Sequence, residues 1–221
     1  MKAVGPCDQD ALRSAAAQVK AAGGDTLVLQ MKPASGALSW KSGVELAVEI
    51  GASGTEELAD VIRELRDDGI RFAAAVSCCA DTKLAQAKSD LALMTAGSAY
   101  ADGSGYWVNP ANDAVRQYIA ALCKELAEMG FAKFLRRSLH GTKLSIICSV
   151  DSAAYDRASQ TGQDLSLLPR VFDRMCFFTD AATLTLLQEK LTAAYPDLDT
   201  QLRVVPFVPA KRDAGCWIVT T

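Results

Sequence analysis

The hydrophobic positions of this chain follow two alternating patterns, which are short continuous runs and stripes with helical spacing. The runs have the length of β-strands, and several are rich in β-branched residues, as is typical of parallel strands covered on both faces. Together they predict eight strands, at residues 2–6, 26–31, 70–79, 131–136, 144–150, 175–179, 203–208 and 216–221.

The stripes predict the helices that separate several of these strands. The clearest one follows the segment 109–112, where apolar residues recur three and four positions apart, at Val115, Tyr118, Leu122 and Leu126. A second helix is predicted to begin near Asp8, with four residues on its buried side, Leu12, Ala15, Ala16 and Val19. A third is predicted to start in a capping box formed by Ser53 and Glu56. Further helices are predicted at 82–94 and 181–194.

Alternating strands and helices predict an α/β fold, because a strand that closely follows a helix normally runs parallel to the strand before that helix. Eight such units are the count of a (β/α)8 TIM barrel, and 221 residues fit one compact domain, 1–221. An open doubly wound sheet is the alternative. We prefer the barrel, since no glycine-rich phosphate-binding motif follows any strand.

Composition narrows the classes of partner and cofactor. A net charge of −3 gives no broad electrostatic reason to bind nucleic acid. No apolar run reaches the length of a membrane span, so we expect a soluble protein without membrane insertion, and its compartment and oligomeric state stay open. Seven cysteines without C-x-x-C spacing and a single histidine, His140, favour reduced thiols and no metal site. We expect no cofactor.

Four segments in order resemble the bacterial putative glycosyl hydrolase domain family, a branch of the glycosidase-type barrels. They read LVLQMKPASGALSW, ELADVIRELRDDGIRFAAAVSCCAD, YWVNPANDAVRQYI and ELAEMGFAKFLRR, and they span roughly residues 20 to 137. The resemblance implies a TIM barrel that acts on or binds a carbohydrate at the C-terminal face of the barrel.

The chain departs from the pattern of that family at its acidic positions. Gln30 stands where the family has an acid, and Arg136 stands where it has an aspartate, whereas Lys32, Asp81 and Trp107 match. Hydrolysis of a glycoside normally needs two carboxyl groups, and neither an amide nor a guanidinium supplies one. Two hypotheses therefore stand: a glycoside hydrolase, and a non-catalytic carbohydrate-binding or assembly module, which the lost acids favour.

The candidate site residues lie where the predicted strands end, because active sites of barrels gather at that face. Asp81 and Asp151 are the candidate catalytic carboxylates, and the alternative for each is a helix N-cap or turn residue. Lys32 and Arg136 are candidates for holding an anionic group of the substrate, and the alternative is an ion pair with a barrel carboxylate such as Asp81.

Aromatic residues near these strand ends are candidates for carbohydrate binding. Tyr106, Trp107 and Trp40 are predicted to stack on a sugar ring or to line a groove, since an aromatic face supplies apolar area without charge. Packing of these rings in a lid over the barrel is the alternative. Asp102, in the same polar loop as Trp107, completes the set of predicted substrate-binding residues.

Overall fold

The computed structural model of the chain describes residues 2–4, 8–131, 137–139, 142–143, 147–150, 174–177, 180–199, 204–208 and 218–219. The chain divides into two compact units. One consists of Val4–Ala132, and the other consists of Met1–Ala3 together with Lys133–Thr221.

The unit Val4–Ala132 alternates strands and helices along the sequence. Its longer elements are α1 (Gln9–Ala21), β2 (Thr26–Lys32), α2 (Glu45–Glu49), α3 (Ala59–Asp67), β3 (Arg71–Val76), α4 (Thr82–Ala87) and α5 (Asp113–Glu128). The strand β1 (Lys2–Val4) precedes them, and its first two residues belong to the other unit. Between α4 and α5 lie a 3-10 turn (Ser89–Leu91) and four two-residue strands, β4 (Met94–Thr95), β5 (Ser98–Ala99), β6 (Ala101–Asp102) and β7 (Gly105–Tyr106).

Strands β2 and β3 pair in parallel and form the centre of this unit. Their register runs from Thr26 opposite Arg71 to Lys32 opposite Val76, with an irregularity between Gln30 and Lys32. Alternate residues of β2 are fully buried, and Phe72 of β3 is buried beside them against the ring of Phe131 at a centroid distance of 5.9 Å. The β2–α3–β3 order with a parallel pair is the α/β arrangement that the sequence predicts.

The buried faces of α1 and α5 are the ones predicted from their apolar stripes. All eight predicted residues are buried: Leu12, Ala15, Ala16 and Val19 on α1, and Val115, Tyr118, Leu122 and Leu126 on α5. Asp8 and Asn112 cap the two helices, since the side chain of each accepts a backbone N–H in the first turn. Gly130 follows α5 with a φ of 109°.

Two predicted helix boundaries are wrong, namely the start at Ser53 and the end at residue 94. α3 begins at Ala59, because Ser53 instead accepts a hydrogen bond from the Ser42 backbone at 2.9 Å, which ties its segment to the loop after β2. α4 does begin at residue 82 but ends at Ala87. The stretch predicted as its continuation turns into the 3-10 turn and β4.

The second unit is described through its strands and one helix. The elements are β8 (Arg137–Leu139), β9 (Thr142–Lys143), β10 (Ile147–Val150), β11 (Arg174–Phe177), α6 (Ala181–Ala194), β12 (Val204–Val208) and β13 (Ile218–Val219). β10, β11, β12 and β13 pair in parallel in that order, and β13 pairs with β1. β8 and β9 form an antiparallel hairpin. Most of the predicted strand 131–136 lies outside the described residues.

Helix α6 packs on this sheet through the apolar stripe that its sequence predicts. Leu184, Leu187 and Leu191 are buried and cluster with Met175 and Val204. Asp180 caps the helix by accepting the Thr183 backbone N–H at 2.9 Å, and this hydrogen bond lowers the pKa of the aspartate.

Within the described ranges, the strand pairs of neither unit close into a barrel. The helices of those ranges are all too short or too polar to cross a bilayer.

We expect Leu122→Ala to lower the free energy of unfolding by about 2 to 5 kcal/mol, because Leu122 is fully buried on the core stripe of α5 and its loss leaves a cavity. Urea denaturation followed by circular dichroism measures the change. Lys124→Ala is the control, since that side chain is 79% exposed and its removal should change stability by less than about 0.5 kcal/mol. Equal effects of the two substitutions would contradict the packing of α5.

Candidate functional site

A buried ion pair lies where β2 and β3 end. Lys32, the last residue of β2, places its Nζ 2.8 Å from Asp81 Oδ2, and both side chains are 0% exposed. The contact does not have the angles of a hydrogen bond, and Lys32 donates its hydrogen bond to the Ser77 carbonyl at 2.7 Å instead. Two buried charges are tolerated when each has its opposite charge or a polar partner close by. Lys32 therefore has the carboxylate partner that the sequence offered as an alternative.

Asp81 also forms the N-cap of α4. Its Oδ1 accepts the Leu84 backbone N–H at 2.9 Å, which satisfies one of the free N–H groups in the first turn of the helix. Gly36, with a φ of +85°, lies so close that a Cβ built on it would be 2.1 Å from Asp81 Oδ1. The carboxylate is thus enclosed by Lys32, the start of α4 and the loop after β2.

Helix α5 brings a phenol to the same buried region. Tyr118 is 3% exposed, and its hydroxyl has no hydrogen-bond partner among the described residues. Burial, and to a smaller extent the charge of Asp81, raise the pKa of Tyr118, so the phenol stays protonated over the physiological range. A proton donor therefore lies in the field of the Lys32–Asp81 pair.

An aromatic hairpin, residues 100–107, docks on the loop that carries Asp81. Its strands β6 and β7 pair Ala101 with Tyr106. Three hydrogen bonds hold the hairpin and the adjacent Val108 to this loop. Asp81 N–H donates to the Tyr106 carbonyl at 2.9 Å, Tyr106 N–H donates to Thr82 Oγ1 at 3.1 Å, and Val108 N–H donates to the Cys79 carbonyl at 2.8 Å. The hairpin is consequently fixed to the segment that follows β3.

The side chains of the hairpin combine exposed aromatic and acidic groups. Tyr106 is 37% exposed, whereas Trp107 is half-buried and packs edge-on against Tyr100 at 6.2 Å. The exposed Asp102 accepts the Ser104 backbone N–H at 2.8 Å. The Trp107 side chain and this N–H lower the pKa of Asp102, so the carboxylate is ionised at neutral pH. An aromatic ring and a carboxylate therefore face solvent on one hairpin.

The third predicted aromatic, Trp40, lies in the core with 1% exposure. Its indole N–H donates to Glu125 Oε2 of α5 at 2.8 Å, and the Ser42 hydroxyl donates to the same oxygen at 2.6 Å. Gly43 N–H donates to Glu125 Oε1 at 2.7 Å. In this structure the Trp40 ring offers no face to a ligand, and it fastens the loop after β2 to α5.

Glu125 is the residue of this region that the sequence analysis missed. It lies beside the apolar stripe of α5, where helical spacing predicts a solvated side chain, and its partners are more than 80 residues away in sequence. A cleft of about 460 Å³ opens next to it, lined by the loop 40–43, the start of α3 and Met129.

The described residues contain no group of three or more His, Cys, Asp or Glu side chains arranged to hold a metal ion.

Two predicted site residues, Arg136 and Asp151, lie outside the described residues. The structure brings together Lys32 and Asp81, and it joins Asp102, Tyr106 and Trp107 in one hairpin docked beside them. Trp40 does not join them in an exposed surface, because its side chain is buried in the core. The catalytic pair of Asp81 and Asp151 stays a prediction.

Comparison with known proteins identifies a family and a shared fold. The model of the family described as "Putative glycosyl hydrolase domain" matches residues 5–138. No curated protein sequence matches the chain. Among solved structures, a hypothetical protein from Ruminiclostridium thermocellum ATCC 27405 superposes with a TM-score of 0.54 at 15% identity, over 100% of this chain and 97% of that one.

Two glycoside-processing enzymes share the fold as well. The GH20 beta-N-acetylhexosaminidase from Streptomyces coelicolor A3(2) gives a TM-score of 0.55 at 11% identity, over 93% of this chain and 47% of that one. A noncanonic maltogenic alpha-amylase from Thermotoga neapolitana gives 0.54 at 11% identity, over 94% and 57%. The chain thus spans about half the length of these two enzymes and has an α/β fold in common with them.

We expect Gly36→Ala to destabilise the protein more than Gly51→Ala. Both glycines have positive φ, +85° and +65°, so each substitution carries a backbone cost of about 1 to 3 kcal/mol. Only Gly36 faces Asp81, and the steric clash adds about 1 kcal/mol or more. Urea denaturation of both variants measures the difference. Equal losses would show that Gly36 does not enclose the carboxylate.

Glu125→Ala should lower the free energy of unfolding by about 1.5 to 3 kcal/mol, since it removes the acceptor of three hydrogen bonds to a charged group. It should also expose the Trp40 indole, which acrylamide quenching of tryptophan fluorescence detects. The control is Glu128→Ala, because that side chain is 67% exposed. Unchanged stability and quenching in Glu125→Ala would show that Glu125 does not hold the loop after β2 against α5.

Proposed function

The chain belongs to the putative glycosyl hydrolase domain family, and from this premise we propose that it binds a carbohydrate at the aromatic hairpin. The observation that carries the proposal is the exposed Tyr106 ring beside Trp107 and the ionised Asp102, on a hairpin docked where β3 ends. Aromatic faces and carboxylates suit sugars, which present apolar C–H faces and hydroxyl donors.

We propose further that the chain folds as a (β/α)8 barrel and that the carbohydrate site lies at its C-terminal face. Support comes from the parallel β2–β3 pair, the parallel strands β10 to β13 and the α/β fold shared with solved glycoside-processing enzymes. Lys32 ends β2, and Asp81 and the aromatic hairpin follow the end of β3. In barrels of this kind, the loops after the strands carry the binding residues.

Hydrolysis of the bound sugar is the second function, and family membership is the observation that favours it. The proposed carboxylates are Asp81 and Asp151, one as the acid and the other as the base or nucleophile. Asp81, however, is fully buried, paired with Lys32 and bound to the start of α4. This enclosure supports binding rather than hydrolysis through Asp81. Arg136 stays the proposed contact for an anionic sugar.

A glycan array followed by isothermal titration calorimetry tests the proposal. We expect the parent chain to retain at least one glycan, and Tyr106→Ala to weaken its affinity about tenfold or more, because the exposed ring loses its stacking contact. Trp107→Ala should weaken it likewise. Val48→Ala is the control, as Val48 is 57% exposed on α2, away from the hairpin in sequence, and affinity should not change.

Absence of glycan binding by the parent chain would refute the proposed function, and so would full binding by both aromatic variants. A parallel screen for release of reducing sugar separates the two functions. Activity that Asp151→Asn abolishes, while glycan affinity is kept, would favour hydrolysis over binding alone.

A further inference from the structure

We propose that the Lys32–Asp81 ion pair positions the aromatic hairpin and thereby sets its affinity for carbohydrate. The inference rests on the proposed function of the hairpin and assigns to Asp81 a role that differs from catalysis. It starts from the complete burial of both charged side chains.

The side chain of Asp81 has no surface left for a substrate. Oδ2 lies 2.8 Å from Lys32 Nζ, Oδ1 accepts the Leu84 N–H, and the loop at Gly36 covers the carboxylate. A general acid or a nucleophile must reach the reacting atom within hydrogen-bond distance. At 0% exposure the group acts through its neighbours.

The neighbours through which it acts are the backbone groups that hold the hairpin. Asp81 N–H donates to the Tyr106 carbonyl, and residue 80 pairs with Trp107 in an isolated β-bridge. Thr82 Oγ1 accepts the Tyr106 N–H and lies so close to Gly105 that a Cβ there would be 2.3 Å from it. The segment 80–82 therefore contacts Tyr106 and Trp107 directly, and a displacement of this segment is expected to move both residues.

The hairpin has little burial of its own to fix that position. Every residue of β4 to β7 except Gly105 is exposed. Tyr100 and Trp107 are half-buried, and backbone hydrogen bonds join both to Leu93. A surface element with so few buried contacts takes its placement from the element on which it docks. The ion pair joins that docking segment to the end of β2, 49 residues earlier in the sequence.

Asp81→Asn separates the ion pair from the helix cap, because asparagine caps α4 as well as aspartate does but leaves Lys32 without its opposite charge. We label the chain with 5-fluorotryptophan and record ¹⁹F NMR spectra, in which Trp107→Phe identifies the Trp107 resonance. In Asp81→Asn we expect that resonance to shift or broaden, the Trp40 resonance to stay, and glycan affinity to fall about tenfold.

Two further variants keep the test decisive. Lys32→Met with Asp81→Asn removes both charges, so no unpaired charge is buried, and it should fold yet still displace the Trp107 resonance. Asp60→Asn, whose carboxylate is 88% exposed, should leave the spectrum and the affinity as in the parent. A parental Trp107 resonance in the double variant would overturn the proposal.

The two readouts distinguish failure of this inference from failure of the proposed function. A shifted Trp107 resonance in a chain that binds no glycan would uphold positioning and refute carbohydrate binding. Glycan binding by the parent, with the Trp107 resonance and the affinity unchanged in Asp81→Asn, would uphold carbohydrate binding and refute positioning. Sugar release by the parent that Asp81→Asn abolishes without moving the resonance would make Asp81 catalytic and overturn positioning.

Discussion

The contact between Lys32 and Asp81 is the constraint on which the strand-end region depends. Taking two charges out of water is costly, and the cost is offset here by their mutual attraction, the Ser77 carbonyl and the first turn of α4. Because each of these partners belongs to a different segment, the pair fixes their relative positions. The loop at Gly36 and the aromatic hairpin are then built against that fixed point.

The sequence predicted well those features that depend on spacing alone. The buried faces of α1, α5 and α6 follow from apolar stripes, because helix geometry determines which residues share a face. The sequence-based prediction failed where a contact outside the local segment determines the structure. Ser53 does not start a helix, because it accepts a hydrogen bond from the Ser42 backbone. Trp40 is buried, and its indole N–H donates to Glu125, 85 positions away.

The candidate site was predicted in the same divided way. Lys32 ends β2 and Asp81 follows the neighbouring β3, so the sequence could predict their pairing. The hairpin residues 102, 106 and 107 are close along the chain. The sequence could not predict how exposed these hairpin residues are, because their exposure depends on the segment against which the hairpin docks. The family of putative glycosyl hydrolase domains supplies the scaffold, and the enclosure of Asp81 is an argument against its use as a catalytic carboxylate.

The most direct measurement is a crystal structure of the chain with a bound oligosaccharide, using a glycan that the array selects. The account predicts a sugar ring on the face of Tyr106, with Trp107 and Asp102 in contact and with Lys32 and Asp81 still paired beneath, out of reach of the ligand. A sugar whose scissile oxygen lies against the Asp81 carboxylate, with Lys32 turned away from it, would contradict the account.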